Sequence, residues 1–335
     1  MPSMTVGDMA KSLLLSRQGV NLKTAMQKLS TEATTGLVTD QTERLRGNYV
    51  PIAGIETSLT QLEAYHTVTS ETQVIASVMQ TVLGTINDQS SALSSAMLAG
   101  ASGASTLQIN ALGNAAVHRL DTVMAALNTR FGERSLFAGQ STDAVTVASA
   151  ETMMTALETA ISNAGAISSA DVEATVNTWF DDPAGYAATV YQGGDILEPV
   201  PVGPDQTAQI DVTAKDPAII QTLKGLALGA LLGRGALAGN DTARADLAKR
   251  AGESLAGSQS TIVQLGARLG TTEATVENTA TRNAAEKDVL QTARLNLLSV
   301  DPYETAAKYQ ETQGQLQTLY ALTARASRLS LVDFL

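Results

Sequence analysis

The sequence predicts a mainly α fold: an elongated bundle of long antiparallel helices with paired N- and C-terminal helices, a β-hairpin and an inserted small α+β domain. Three observations predict it. Leu62, Tyr65, Val68, Ile75, Met79, Val82, Ile86, Leu93 and Met97 recur mostly at three-, four- and seven-residue spacing, which lines one stripe of a helix that meets a partner helix. Aromatic residues make up only 4% of the chain and prolines number 8, so the bulky material of compact enzyme cores is scarce and small side chains suit helices packed side by side. The layout is also symmetrical: terminal helix, joint, long helix, insertion, long helix, joint, terminal helix.

Taken in order, Met9, Leu13, Leu15, Leu22, Met26 and Leu29 are separated mostly by three, four or seven residues and mark an N-terminal helix. The stretch TEATTGLVTDQTERLRGNYVP reads as non-helical. A long helix then runs from about Ile52 to Met97, roughly 70 Å at 1.5 Å per residue. Glycine-rich AGASGAS closes it. A second helix covers about Thr106 to Phe131 with Ile109, Leu112, Ala116, Leu120, Val123, Leu127 and Phe131 in step. RSLFAGQSTDAVTVA reads as a β-hairpin turning at Gly139 and the polar QSTD.

The character changes from about Val145 to Asp216. A helix from Glu151 to Ala164 precedes WFDDPAGY. Ile196, Val200 and Val202, then Ala208, Ile210 and Val212, alternate on either side of a Gly203-Pro204-Asp205 turn and predict two strands. Asp216 and Pro217 open another helix. The third long helix begins near Asp241 and ends near Leu298. Asp301-Pro302-Tyr303-Glu304 restarts the chain: Asp301 accepts from free amides, Pro302 suits the first helical position and Glu304 completes a capping box. The final helix carries Leu316, Leu319, Tyr320, Leu322, Leu329, Leu331, Val332, Phe334 and Leu335. The expected domains are 1–48 with 301–335 (terminal helices), 49–144 with 240–300 (long-helix bundle) and 145–239 (inserted α+β domain).

Chemistry is sparse. A net charge of −11 argues against non-specific binding to nucleic acid or anionic membranes, and the absence of cysteine removes thiol nucleophiles and Cys-based metal sites. The most apolar run, AIIQTLKGLALGALLGRGALAG, is interrupted by Lys224 and Arg234, so no membrane helix is expected. MPSMTVGDMAKSLLLSRQGV lacks a basic leader, an apolar core and a small-residue cleavage site, so no cleavable signal is expected. His66 and His118 sit on different predicted helices and read as helix-surface positions. Asp181 and Asp182 before Pro183 read as a turn or cap rather than metal ligands. Trp179 and Phe180 read as core of the insertion. No nucleophile–base–orienter set is visible, and the glycines of GALLGRGALAG lack the Lys-Ser/Thr of a phosphate loop. No enzyme, cofactor or metal is expected.

This plan, together with KLSTEATTGLVTD, RSLFAGQSTD, YQGGD and the terminal ASRLSLVDFL, resembles the flagellin superfamily, and within it the hook–filament junction members, whose ends more often close as here on Ser-Leu and a short aromatic-and-leucine run. The sequence departs from the family pattern where extra residues separate Ser30 from Gly36 and where GNYVPIAG replaces an acidic turn. The resemblance implies a structural subunit of the bacterial flagellum. Such a subunit would be secreted through the flagellar type III apparatus, with an export chaperone masking its C-terminal helix, and would polymerise through both termini. Its implied partners are copies of itself in a ring, a hook-associated protein on the hook side and flagellin on the filament side. A filament-forming flagellin and an exported coiled-coil adhesin or effector remain alternatives.

Elementary energetics add a mechanism. Isolated helices are marginal in water, while burying a Leu or Phe gains about 1.5–3 kcal/mol against about 1–2 kcal/mol per residue for ordering the backbone. The expectation is that both terminal stripes form an assembly interface, ordered when neighbours cover them.

Overall fold

The computed structural model describes residues 6–101 and 105–332. Ten helices and four short strands follow one another among them: α1 (Val6–Thr35), α2 (Gln41–Leu45), α3 (Val50–Ala101), α4 (Thr106–Leu127), β1 (Arg130–Phe131), β2 (Arg134–Ser135), α5 (Ala150–Ala164), α6 (Ser169–Asp181), α7 (Tyr186–Thr189), β3 (Val200–Gly203), β4 (Gln206–Ala208), α8 (Pro217–Gly233), α9 (Asp241–Leu298) and α10 (Pro302–Val332). The fold is mainly α with long helices, as the periodicity predicts. Two compact units divide the chain, a terminal unit (Met1–Leu62 with Ala285–Leu335) and a middle unit (Glu63–Ala284).

The middle unit is built around α8. Most of its residues from Ala218 to Leu232 are buried, and only Ile220, Gln221 and Lys224 are partly exposed, so it is a core helix with a narrow polar edge. Asp216 caps it by accepting from Ala218 N at 2.9 Å, with Pro217 opening the helix as the sequence predicts. Small residues let neighbours come close. A Cβ on Gly113 of α4 would lie 2.2 Å from the Gly233 backbone nitrogen, so α4 and α8 touch backbone to backbone there. On the other side of α8, Leu223 and Leu226 join Leu247, Ala251 and Leu255 of α9 in one apolar core. Polar side chains stitch α3 to α9 directly: Gln80 Nε2 donates to Gly266 O at 2.7 Å and Ser94 Oγ to Gly252 O at 2.8 Å.

Two sequence expectations shift here. The helix predicted to reach Phe131 stops at Leu127 because the Asn128 side chain makes a reciprocal pair with the Val147 backbone, its Nδ2 donating to Val147 O and its Oδ1 accepting from Val147 N, each at 2.9 Å. Phe131 keeps the helical phase but lies exposed in β1. The hairpin therefore turns at Gly132 and Glu133, pairing Arg130 with Ser135 and Phe131 with Arg134, and not at Gly139. RSLFAGQSTD instead docks on YQGGD. Gly194 N donates to Ala138 O at 2.8 Å and Gln140 N to Asp195 O at 2.9 Å, while within YQGGD the Tyr191 OH donates to Gly194 O at 2.7 Å. Gly139 has φ +57 and a Cβ there would lie 2.1 Å from Asp195 O, so only glycine suits that contact.

Within the insertion, α5 matches its predicted range closely, whereas α6 is a helix that the sequence reading omits. Ser168 and Asp171 form its capping box, and Val172, Val176 and Phe180 form its buried face. Phe180 stacks on Tyr186 with ring centroids 5.4 Å apart and meets Trp179 edge-on at 5.0 Å, so this aromatic trio is core. β3 and β4 form the predicted hairpin, seated on α9 where Asn283 Nδ2 donates to Val202 O at 2.8 Å and Val202 packs with Val276. Asp181 pairs with Lys224 at 2.7 Å and Asp182 terminates α6. No group of three metal-ligating side chains occurs among the described residues. His66 and His118 lie exposed on α3 and α4. No helix among the described residues is long and apolar enough to cross a membrane.

Candidate assembly surface on the terminal helices

Local sequence builds the joint of the terminal unit first. α1 ends where Gly36, at φ +71, takes the left-handed conformation and donates to Glu32 O at 2.8 Å. The strand-like step beyond it pairs with the step after α9: Val38 N donates to Leu298 O at 2.8 Å, Val300 N to Gly36 O at 3.0 Å, and Leu37 bridges Ser299 antiparallel. The two joints of the sequence plan are thus one structure. The segment read as non-helical also contains α2. Asp40 caps it by accepting from Thr42 N at 3.0 Å and Glu43 N at 3.2 Å, and Arg46 closes it in the left-handed region.

Charged side chains fasten this joint. Lys28 Nζ reaches Glu43 at 2.9 Å, Arg44 Nε donates to Leu297 O at 3.2 Å, and the buried Glu32 accepts from Thr39 N at 2.8 Å. The hydrogen bond to Glu43 holds the Lys28 ammonium above its ordinary pKa. Asp301 caps α10, accepting from Tyr303 N at 2.8 Å and Glu304 N at 3.2 Å. Glu304, predicted to reach back in a capping box, engages Lys308 one turn on at 2.8 Å and raises that ammonium's pKa. Arg294 and Glu56 tie α9 to α3 beside the joint at 2.7 Å.

From this joint α1 and α10 run antiparallel and pack on each other. On α10 the seam residues Thr305, Tyr309, Thr312, Leu316 and Leu319 are buried or half-buried at alternating four- and three-residue spacing, the repeat of a two-helix seam. On α1, Leu15, Gly19, Leu22, Met26 and Leu29 are half-buried on the matching repeat. A methyl added at Gly19 would meet Leu319 Cδ2 at 3.5 Å, an ordinary contact. Lys23 Nζ stands 5.8 Å from the Tyr320 ring centroid, within cation–π range.

The candidate residues therefore separate into groups. Leu15, Leu22, Met26, Leu29, Leu316 and Leu319 contribute to the seam within the chain. Met9, Leu13, Tyr320 and Leu322 are exposed. Leu329, Leu331 and Val332 belong to the end of α10 where the backbone alone is described, and Phe334 and Leu335 lie outside the described residues. Leu14 and Val20, absent from the sequence-based set, are exposed as well. Leu13 lies two residues before Leu15, about 200° round the helix at 100° per residue, and Met9 and Val20 share its side. So α1 carries two apolar faces. One takes α10; Leu13, 60% exposed, marks the other. The signal for the second face was present in the sequence as a second, offset heptad, Leu13 to Val20.

Residues 256–335, which hold the end of α9, the joint and α10, match the family of the bacterial flagellin C-terminal helical region. No curated protein sequence matches the chain. Among solved structures, one assigned as a flagellar hook-associated protein of Vibrio parahaemolyticus is similar in fold, with TM-score 0.50 and 12% identity over 73% of this chain and 95% of that one. FlgL of Bacillus cereus gives TM-score 0.49 and 14% identity over 71% of this chain and 96% of that one. The chain carries a flagellin-like C-terminal helical region on a fold shared with the first of these proteins.

Proposed function

We propose that this chain is a structural subunit of the bacterial flagellum that forms the junction between hook and filament, joining its neighbours through the terminal helices. The observation that carries the reading is the second apolar face of α1, together with exposed Tyr320 and Leu322 on α10, in a chain whose C-terminal region is flagellin-like. A two-helix seam leaves large apolar side chains in water, and covering each gains about 1.5–3 kcal/mol. Neighbouring copies cover that face, and the ordering of the pair is completed on assembly. The fold likeness to a hook-associated protein supports the junction role. In this role the subunit leaves the cell through the flagellar type III apparatus with a chaperone masking α10. Copies form a ring between a hook-associated protein and flagellin, and the 145–239 segment faces outward.

The experiment is electron microscopy of purified full-length chain with and without isolated hook ends, alongside a chain lacking the last ~15 residues. The junction reading expects seating on hook ends without continued growth, and no seating by the truncated chain. The family match to flagellin favours a second reading, a filament-forming flagellin. Long self-seeded filaments without hooks would establish it instead.

A further inference from the structure

The core helix α8 reaches solvent along one edge. Pro217, Ile220, Gln221 and Lys224 are spaced so that they stack along one side of two helical turns. Opposite them, Glu173, Asn177 and Asp181 follow at four-residue spacing on α6. The two rows, with Ser254 of α9, line an open groove of about 540 Å³ within the middle unit. That volume lies within the range of about 300–1,000 Å³ typical of small-molecule sites. The charges of the groove are already matched. Lys224 Nζ stands 2.7 Å from Asp181 Oδ1, and Arg250 Nη1 donates to Glu173 Oε2 at 2.7 Å. The groove therefore offers no net charge, while Asp181 Oδ2 and Glu173 Oε1 stay available as acceptors and the ammonium keeps further donors. Its neutral polar groups are uncommitted. Asn177 and Ser254 are half-buried, and their side chains make no hydrogen bond to the described residues. Gln221 only accepts, from Thr261 Oγ1 at 3.4 Å, so its amide donors are free. Pro217 and Ile220 add a short apolar strip to the same wall.

We propose that this groove between α6 and α8 binds a neutral saccharide, its hydroxyls hydrogen-bonded by Asn177, Gln221 and Ser254 and the carbon face of one ring resting on Pro217 and Ile220. Each sugar hydroxyl both donates and accepts, and so does each of these three side chains. The two sets match without a charge. An ionic ligand would have to draw Lys224 from Asp181 or Arg250 from Glu173, leaving a partly buried charge without its partner. A wholly apolar ligand would strip water from two amides and a hydroxyl and return no hydrogen bond. The site is independent of the terminal helices, since every residue that lines it belongs to the middle unit.

The test is a titration of the isotope-labelled full-length chain with glucose, galactose and N-acetylglucosamine, read from the side-chain amide resonances of Asn177 and Gln221. Sugar hydroxyls exchange hydrogen bonds with water for hydrogen bonds with protein at small net gain, so dissociation constants of about 1 mM are expected. Both amides should shift and saturate. Glucosamine and N-acetylneuraminic acid, the cationic and anionic probes, should bind about tenfold more weakly or not at all. Asn177→Leu and Gln221→Leu should each weaken binding about fivefold or more, while Thr178→Leu, on the exposed side of α6, should leave it unchanged. If neither amide moves with any of the three neutral sugars at about 10 mM, the site is overturned. A charged sugar that binds more tightly than its neutral counterpart overturns the saccharide assignment as stated. So does native affinity in both leucine variants when their circular dichroism melts are native, because the sugar then sits elsewhere. The amide shifts are measured on the native chain, so they decide the proposal even where a leucine variant fails to fold.

Discussion

Leu319 and Leu322 sit three residues apart on α10, yet the first is 6% exposed and the second 52%. Substituting each with Ala asks one helix two separate questions. Buried Leu→Ala changes cost about 2–5 kcal/mol; Leu319 packs in a seam of only two helices, where neighbours relax readily, so the low end applies. About 2 kcal/mol corresponds to roughly 30-fold in the pairing equilibrium of α1 and α10. Leu322→Ala removes a side chain already half in water and should stay within about 0.5 kcal/mol. Hydrogen exchange on the free full-length chain reads both. Local opening sets the rates, so Leu319→Ala should speed exchange in α1 and α10 about 30-fold and leave the middle unit unchanged. Leu322→Ala should do neither, but it should weaken seating on hook ends. Equal exchange in the two variants would refute the division into a seam and an outer face.

Three further outcomes follow from the geometry. Gly113→Ala drives a methyl into the Gly233 backbone, so the α4–α8 contact must open; a loss of about 1–3 kcal/mol is expected, seen as a lower Tm followed through Trp179 fluorescence. Asp301→Ala removes the cap of α10 and should cost about 1 kcal/mol, with faster exchange confined to the first turn of α10. Glu151, Asp171 and Asp246 are held below the usual carboxylate range by hydrogen bonds from Arg234, Ser168 and Ser169 respectively. Groups depressed in the folded chain stabilise it above the unfolded values near pH 4 and lose that contribution as pH falls through the folded ones. The α5–α6 region should therefore loosen on acidification below about pH 4, reported by Trp179 on α6, and Arg234→Gln should flatten the response.

Much of the fold was legible because its signals are local. The caps at Asp216 and Asp301 stand where short-range chemistry puts them, and α9 keeps its predicted bounds of Asp241 and Leu298. The misses have non-local causes. Phe131 continues the stripe of α4, and only the Asn128–Val147 pair, 19 residues apart, ends that helix first. RSLFAGQSTD looked like a hairpin because its partner, YQGGD, lies more than 50 residues away. α6 was a different kind of miss, since Ser168, Asp171, Val172, Val176 and Phe180 already spell a capped helix. At the assembly surface, spacing identified which residues are apolar but not which face each one takes. Leu13 and Leu15 belong to opposite faces of α1, and only the position of α10 tells them apart.

The most direct measurement of the central claim is the seating of full-length chain on isolated hook ends, counted by electron microscopy, for the native sequence and for Leu13→Ser with Leu322→Ser. Both residues lie outside the seam, so the variant should keep native hydrogen exchange in α1 and α10 while losing its place on the hooks. A variant that seats as often as the native chain would contradict the assignment of that outer face to neighbouring subunits.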